Sequence, residues 1–206
     1  MRSDTVDTYL NELAARVPAP GGGAAGALHA AQGAALVGMV ARYSNGSTRP
    51  EEATTVERVR ESADTLRERA LVLAEQDVSA FRGVSRAYRM PRSTPEEKGA
   101  RSRAIAGSLS EAGRVPAEVV EVAARVADLA EHLRPLCNPN LVSDIAAAAE
   151  AARAAAATSR VNVEINLCSG AEIPNRDELA GAVAATDDVL RRADETTEAV
   201  REQILR

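Results

Sequence analysis

Apolar residues recur along this chain with a helical period almost from end to end. The clearest run is Val56, Val59, Ala63, Leu66, Ala70, Leu73, Asp77, Ala80, Val84 and Ala87, which alternates spacings of three and four without a break. Such a seam packs along a partner helix for most of its length. Val183, Thr186, Leu190, Ala193, Thr197, Val200 and Ile204 repeat the pattern near the C-terminus. Val6, Leu10, Leu13, Ala14 and Val17 mark a short helix at the other end, with Ser3 or Asp4 as its N-cap. Between these lies an uncharged run of Ala and Gly from Gly21 to Ala41. The pattern predicts six helices, roughly over 3–17, 22–43, 51–89, 95–134, 141–166 and 175–204. Short loops, Ser44–Pro50, Met90–Pro95, Pro135–Asn140 and Ser169–Pro174, separate the later ones. No linker and no repeat divides the chain, so residues 1–206 read as one all-α domain, an up-and-down bundle of long helices.

Two stretches test that reading. Pro116 falls inside the fourth helical pattern, where a missing donor and a clash with the preceding turn are expected to kink or divide the helix. Val161-Asn162-Val163-Glu164-Ile165-Asn166-Leu167 alternates with period two, but one strand would have nothing to pair with. It reads as the end of the fifth helix. Gly22, Gly26, Ala30, Ala34 and Gly38 recur every four residues and allow another helix to approach closely, within the subunit or across a dimer.

Composition narrows the classes. Apolar residues make up 45% of the chain and aromatics 2%, so the core is expected to be Ala, Val and Leu between closely packed helices. A net charge of −5 argues against nucleic acid as a partner. Cys137 and Cys168 form neither C-x-x-C nor a disulfide framework, and Met1-Arg2-Ser3-Asp4 opens no apolar signal region. The expected compartment is the cytoplasm. The uncharged run is 21 residues long, about 30 Å as a helix. His29 and Gln32 interrupt it and few of its residues are large, so it reads as a buried core helix rather than a membrane span.

Val17-Pro18-Ala19-Pro20-Gly21-Gly22-Gly23-Ala24-Ala25-Gly26 reads as a tight loop opening that helix, with free backbone N–H groups at its start. The glycines fit G-x-G-x-x-G, but a helix rather than a strand precedes them, which argues against a dinucleotide site. Asp77 occupies a core position of the long seam, where it either bonds a neighbouring Arg or faces a ligand cleft with a raised pKa. Asn140 is expected to cap the fifth helix, which puts Ser143 and Asp144 in its first turn and Asn140 and Asp144 on one face. Asn162 and Asn166 form a second i, i+4 pair. His29 is the only imidazole near the glycine loop, and His132 sits near a helix C-terminus with no assigned role. Arg82, Arg86 and Arg89 share a helix face, with Arg92 just beyond: a solvated face or a receiver for an anionic tail. No spacing suggests a metal site, and no serine stands in a nucleophile elbow.

Taken in order, several pieces resemble the folate cyclodeaminase/cyclohydrolase family, which includes the cyclodeaminase domain of formiminotransferase-cyclodeaminase and stand-alone methenyltetrahydrofolate cyclohydrolases. They are Pro18–Gly23, Gly33–Val40, Asp77-Val78-Ser79-Ala80-Phe81, Met90–Glu97, Asn140-Leu141-Val142-Ser143-Asp144 and Asn162–Leu167. The resemblance implies an all-α homodimer with folate in a cleft lined by the glycine loop and neighbouring helices. It implies ammonia loss from 5-formiminotetrahydrofolate, or water addition to 5,10-methenyltetrahydrofolate. Both pass through a tetrahedral carbon between N5 and N10 and need placed proton donors and acceptors, with no metal or tightly bound cofactor. On this reading Asp144, Asp77 and His29 are the catalytic candidates. Gly21, Gly22 and Gly23 shape the ligand loop, Asn140, Ser143 and Asn162 orient the ring, and Arg82 and Arg86 take the glutamate tail.

One segment departs from the family. Members commonly carry a Lys-rich stretch ending in Tyr after the glycine-led helix, whereas this chain has Ser44-Asn45-Gly46-Ser47-Thr48-Arg49-Pro50. Arg49 replaces a charge but not a lysine that must give up a proton. The change leaves two alternatives open: a paralogue acting on a non-folate amidine or imine, and an inactive bundle that only binds folate or assembles with another protein.

Overall fold

The computed structural model describes residues 2–44 and 49–206. Six α-helices follow one another: α1 (Val6–Ala14), α2 (Gly22–Tyr43), α3 (Pro50–Tyr88), α4 (Pro95–Leu133), α5 (Val142–Leu167) and α6 (Arg176–Ile204). Two 3₁₀ turns, Arg134–Leu136 and Pro139–Leu141, join α4 to α5, and no strand occurs among the described residues. The all-α reading therefore holds, and Val161–Leu167 is indeed the end of a helix.

The bundle is arranged around α2, which packs on α3, α4 and α5. Its composition would let it cross a membrane, but its interior-facing residues, Ala27 to Ala41, belong to the main core. Close backbone approach explains the lack of side-chain volume. A Cβ on Gly33 would stand 3.1 Å from the Ala148 carbonyl oxygen of α5 and 3.0 Å from Val126 of α4. The stripe of small residues is thus used within the subunit: Gly26 meets Thr158 and Ser159, and Gly38 meets Ala63. The α3 seam is buried from Val56 to Leu73. A second cluster, including Ala87, Ile105, Leu109, Val163 and Leu179, holds the far end of the α3–α4 hairpin to α5 and α6.

Several local expectations are corrected. Pro116 does not divide α4, which runs unbroken from Pro95 to Leu133 with the proline buried inside it. The carbonyl that proline leaves without its helical donor belongs to Ala112, and Asn166 of α5 reaches it from the side at 3.5 Å. The helix survives because a neighbour's amide approaches the vacated acceptor. Asn140 does not cap α5. Asn138 accepts from the Asn140 N–H at 3.0 Å, capping the 3₁₀ turn instead, and α5 starts without a side-chain cap. The α6 seam buries Val189 and Thr196 fully, with Leu190 only partly buried against the core, and Ile204 is exposed. The first helix is shorter than expected and capped by Thr5 rather than Ser3 or Asp4, with no buried residue. Its apolar side chains Val6 and Leu10 remain 76% and 53% exposed. Arg2 ties the segment to α3, donating to the Glu68 carbonyl at 3.0 Å and its carboxylate at 3.3 Å.

Leu73 is completely buried where α3 meets α2. Leu73→Ala is expected to lower unfolding stability by about 2–5 kcal/mol in urea titration. A loss below about 1 kcal/mol would mean that this junction collapses around the cavity.

Candidate functional site

The N-terminus of α2 needs a cap that its own sequence cannot provide. Gly21 stands at the N-cap position and has no side chain to offer the first-turn N–H groups. The acceptor comes from another helix: the Asp77 carboxylate of α3 accepts from the Ala24 backbone N–H. This contact requires glycine at position 23, because a Cβ there would lie 2.0 Å from Asp77 Oδ1 and 2.5 Å from its Cγ. The N–H groups of Gly22 and Gly23 have no partner among the described residues and stay open to a ligand oxygen. Asp77 therefore bonds main chain rather than a neighbouring arginine.

Burial pushes the Asp77 carboxyl above the ordinary carboxylate range, and the Ala24 N–H offsets part of that rise. Tyr9 of α1 is near enough to feel the charge. Its phenol is raised by its own burial and then by Asp77. Asn162 of α5 closes the other side, with Nδ2 3.8 Å from the Cβ that Gly22 lacks. That Nδ2 donates to the Thr158 carbonyl at 2.9 Å, and Asn166 donates to the Asn162 carbonyl at 2.7 Å. Both carboxamide oxygens remain available as acceptors. Gly21–Gly23, Asp77, Asn162 and Tyr9 thus collect at one end of the bundle.

The other candidates stand elsewhere. His29 lines a cavity of about 450 Å³ under α1, with Tyr9, Leu10, Leu28 and Leu71, and its Nδ1 is buried without a hydrogen-bond partner. Asn140 and Ser143 are exposed and Asp144 half-buried at the N-terminal end of α5. Eighteen residues separate Asp144 from Asn162 on one continuous helix, about 27 Å along its axis. That end of α5 lies instead beside the C-terminus of α2. The Asn138 N–H donates to Ser44 Oγ at 3.0 Å, and the Ser44 hydroxyl donates to the Val40 carbonyl at 2.7 Å. The chain therefore does not bring Asp77 and Asp144 together in one cleft. Arg82 and Arg86 are exposed on α3, but lie about 140° and 180° around the helix from Asp77. They do not face the cluster. Phe81 does share its face, one turn on and 46% exposed.

Asn45–Thr48, the middle of the departing loop, lie outside the described residues. Arg49 is engaged by Glu52 at 2.7 Å. His132 is exposed and bonds the Asp128 carbonyl at 2.7 Å. Among the described residues no three His, Cys, Asp or Glu side chains converge as metal ligands. Tyr9 was missed at the sequence level. Its signal is rarity: one of only four aromatic residues in the chain, it falls on the helix just before the glycines.

Comparison with known proteins shows the family and the fold. The family model described as formiminotransferase-cyclodeaminase matches residues 5–185. A methenyltetrahydrofolate cyclohydrolase from Methylorubrum extorquens is 37% identical over 165 residues, covering 80% of this chain and 79% of that protein. The formimidoyltransferase-cyclodeaminase of Mus musculus is 31% identical over 160 residues, covering 77% of this chain but 30% of that longer protein. The crystal structure of formiminotetrahydrofolate cyclodeaminase from Thermotoga maritima superposes with a TM-score of 0.80 at 29% identity, over 97% of this chain and 98% of that one.

The raised Asp77 carboxyl couples stability to pH. Its folded pKa exceeds the unfolded value, so the neutral form's stabilisation is complete below the ordinary range near about 3.9 and is lost as pH rises through the folded value. Asp77→Asn keeps an acceptor for Ala24 and carries no charge. It is expected to melt at a higher temperature than the unsubstituted protein at neutral pH, with the difference shrinking in acid. Coincident melting at pH 7 would show that the fold does not penalise this charge.

Proposed function

The chain belongs to the formiminotransferase-cyclodeaminase family, and from that premise we propose that it is a one-carbon folate enzyme acting at the N5–C–N10 bridge. It hydrolyses 5,10-methenyltetrahydrofolate to the 10-formyl form, or closes 5-formiminotetrahydrofolate to the methenyl form with loss of ammonia. The observation that carries this reading is the half-buried Asp77 carboxylate seated on the open end of α2.

In the hydrolytic direction, water adds to the bridging carbon and gives a proton to a carboxylate. The tetrahedral adduct then collapses to the formyl group: its hydroxyl gives up a proton to solvent as the C=O bond forms, the C–N5 bond breaks, and N5 takes the carboxyl's proton back. In the deaminating direction, N10 attacks the formimino carbon and the departing amine is protonated. Either course needs one group that accepts and then returns a proton. A carboxyl raised above its ordinary range suits that exchange better than a fully solvated one. The open N–H groups of Gly22 and Gly23 offer donors to a ligand oxygen. The Asn162 oxygen offers an acceptor to pterin N–H groups. Asp144, with Asn140 and Ser143, is the second acid–base candidate, at the opposite end of α5.

Purified protein followed at the methenyltetrahydrofolate absorbance band tests the reading. Decay of methenyltetrahydrofolate above the spontaneous rate identifies the hydrolase, and growth of the band from 5-formiminotetrahydrofolate identifies the deaminase. Silence in both removes the two folate reactions. Asp77→Asn is expected to lower turnover by about 100-fold or more with little change in KM, and Gly23→Ala to do the same by displacing the carboxylate. Normal turnover by Asp77→Asn would remove it from the chemistry.

A further inference from the structure

The outer seam of the α3–α4 hairpin contains a groove of about 350 Å³. Glycines open it. Gly83 of α3 and Gly107 of α4 both lie inside helices, where glycine is less stable than alanine. At Gly23 and Gly33 close packing demands the missing side chain. Here it does not. A Cβ on Gly107 would meet nothing within 4 Å, and one on Gly83 would meet only the Ser108 hydroxyl at 4.0 Å. The space is therefore free for a molecule from outside the chain.

Polar side chains line the groove without a partner among the described residues. Gln76 Oε1 is buried at one end with no hydrogen bond. An acceptor left in that state opposes folding, and a donor from a ligand would satisfy it. The hydroxyls of Ser79 and Ser108 come next along the groove, and neither bonds another group. Arg86 stands at the far end without a carboxylate, whereas Arg67 and Arg69 earlier on α3 pair with Asp64 and Glu118. Gly83 faces Ser108, so Glu111, one turn further along the returning α4, falls towards Gln76. It accepts from Arg114 at 2.9 Å and keeps lone pairs to spare. The groove is thus rich in acceptors at one end and cationic at the other. Gln76 and Arg86 are ten residues apart, about 15 Å along the helix.

We propose that this groove binds a nucleoside 5′-monophosphate whose base carries an amino group. The inference does not depend on the folate reading. Each part of such a ligand has its counterpart. The Gln76 carbonyl and the Glu111 carboxylate accept from the amino group. The Ser79 and Ser108 hydroxyls lie at mid-length, where ribose hydroxyls donate and accept in turn. Arg86 takes the phosphate through charge-assisted bonds. Gly83 and Gly107 let a flat ring lie close to main chain. Length selects the class. A free amino acid is too short to join Gln76 to Arg86, and inorganic phosphate leaves the buried carbonyl unmet. The groove is also separate from the Asp77 cluster. Gln76 is turned about 100° around α3 from Asp77; it faces α4, whereas Asp77 faces the start of α2. A nucleotide here leaves the open end of α2 free.

Calorimetric titration with adenosine and cytidine 5′-monophosphates tests the site and needs no activity. Adenosine, ribose 5-phosphate and inorganic phosphate serve as separate arms. Saturable binding of one nucleotide per chain is expected, tighter than any of these fragments by about 10-fold or more. Binding of neither nucleotide, or equal binding of a fragment, overturns the proposal. Arg86→Ala is expected to weaken nucleotide binding by about 10-fold. Gly107→Leu fills the groove from an exposed helical position. It is expected to fold normally by circular dichroism and to abolish binding; undiminished binding would put the nucleotide elsewhere and overturn the groove. Gln76→Met separates a ligand contact from a structural one. It removes a buried carbonyl that nothing satisfies, so it is expected to lose binding and yet melt no lower than the parent. A lower melting temperature with binding intact would overturn the role of Gln76.

Discussion

A helix with almost no side-chain volume stands where three others meet, and the rest of the molecule follows from that. α2 approaches α5 so closely that a single methyl at Gly33 would press on the Ala148 carbonyl. Contacts this short bring main chain against main chain, and they give an Ala- and Val-rich core the density that aromatic side chains provide elsewhere. The same poverty of side chains strips the start of α2 of any cap of its own. A glycine N-cap and two further glycines leave donors open at a helix end already favourable to negative charge. The packing requirement and the binding opportunity are one feature of the sequence.

Asp77 is the charged group set against that feature. The long α3 seam is apolar above it, and its carboxylate replaces the next core residue where α2 runs out. Placing a charge there opposes stability, since burial disfavours the ionised form and one backbone N–H offsets only part of the penalty. A fold tolerates such a residue most readily where a proton must be held and released. Gly23 shows that the arrangement is built into the backbone, because no other residue type leaves room for the carboxylate.

Where the sequence misled, a local pattern was read without its neighbour. Pro116 was expected to kink or divide α4, but the helix runs on through it, and Asn166 approaches the orphaned carbonyl from another helix. Asn140 has the right spacing for a cap, yet a proline-led 3₁₀ turn intervenes and Asn138 takes the role one step earlier. Val189 and Leu190 are both apolar, and only the contact with α5 and α4 selects which one is buried. The α1 stripe is truly amphipathic, but it faces a cavity rather than a core. None of these partners is near in sequence, so no window of residues contains the deciding contact.

Periodicity alone determined the six helices, the all-α class and the core stripe of α3. Those features arise from bonds and side-chain spacings within a few residues of one another. Ordered motifs alone identified the family, and singled out Asp77, the glycines and Asn162. Tertiary structure decided which of them meet. It seated Asp77 on Ala24 and brought Tyr9 beside it. It turned Arg82 and Arg86 away, and it held Asp144 at the far end of a rigid α5. The reason is geometric: a helix preserves spacing along its own axis. Which ends come together depends on the antiparallel packing of elements dozens of residues apart, and that information resides in their mutual fit.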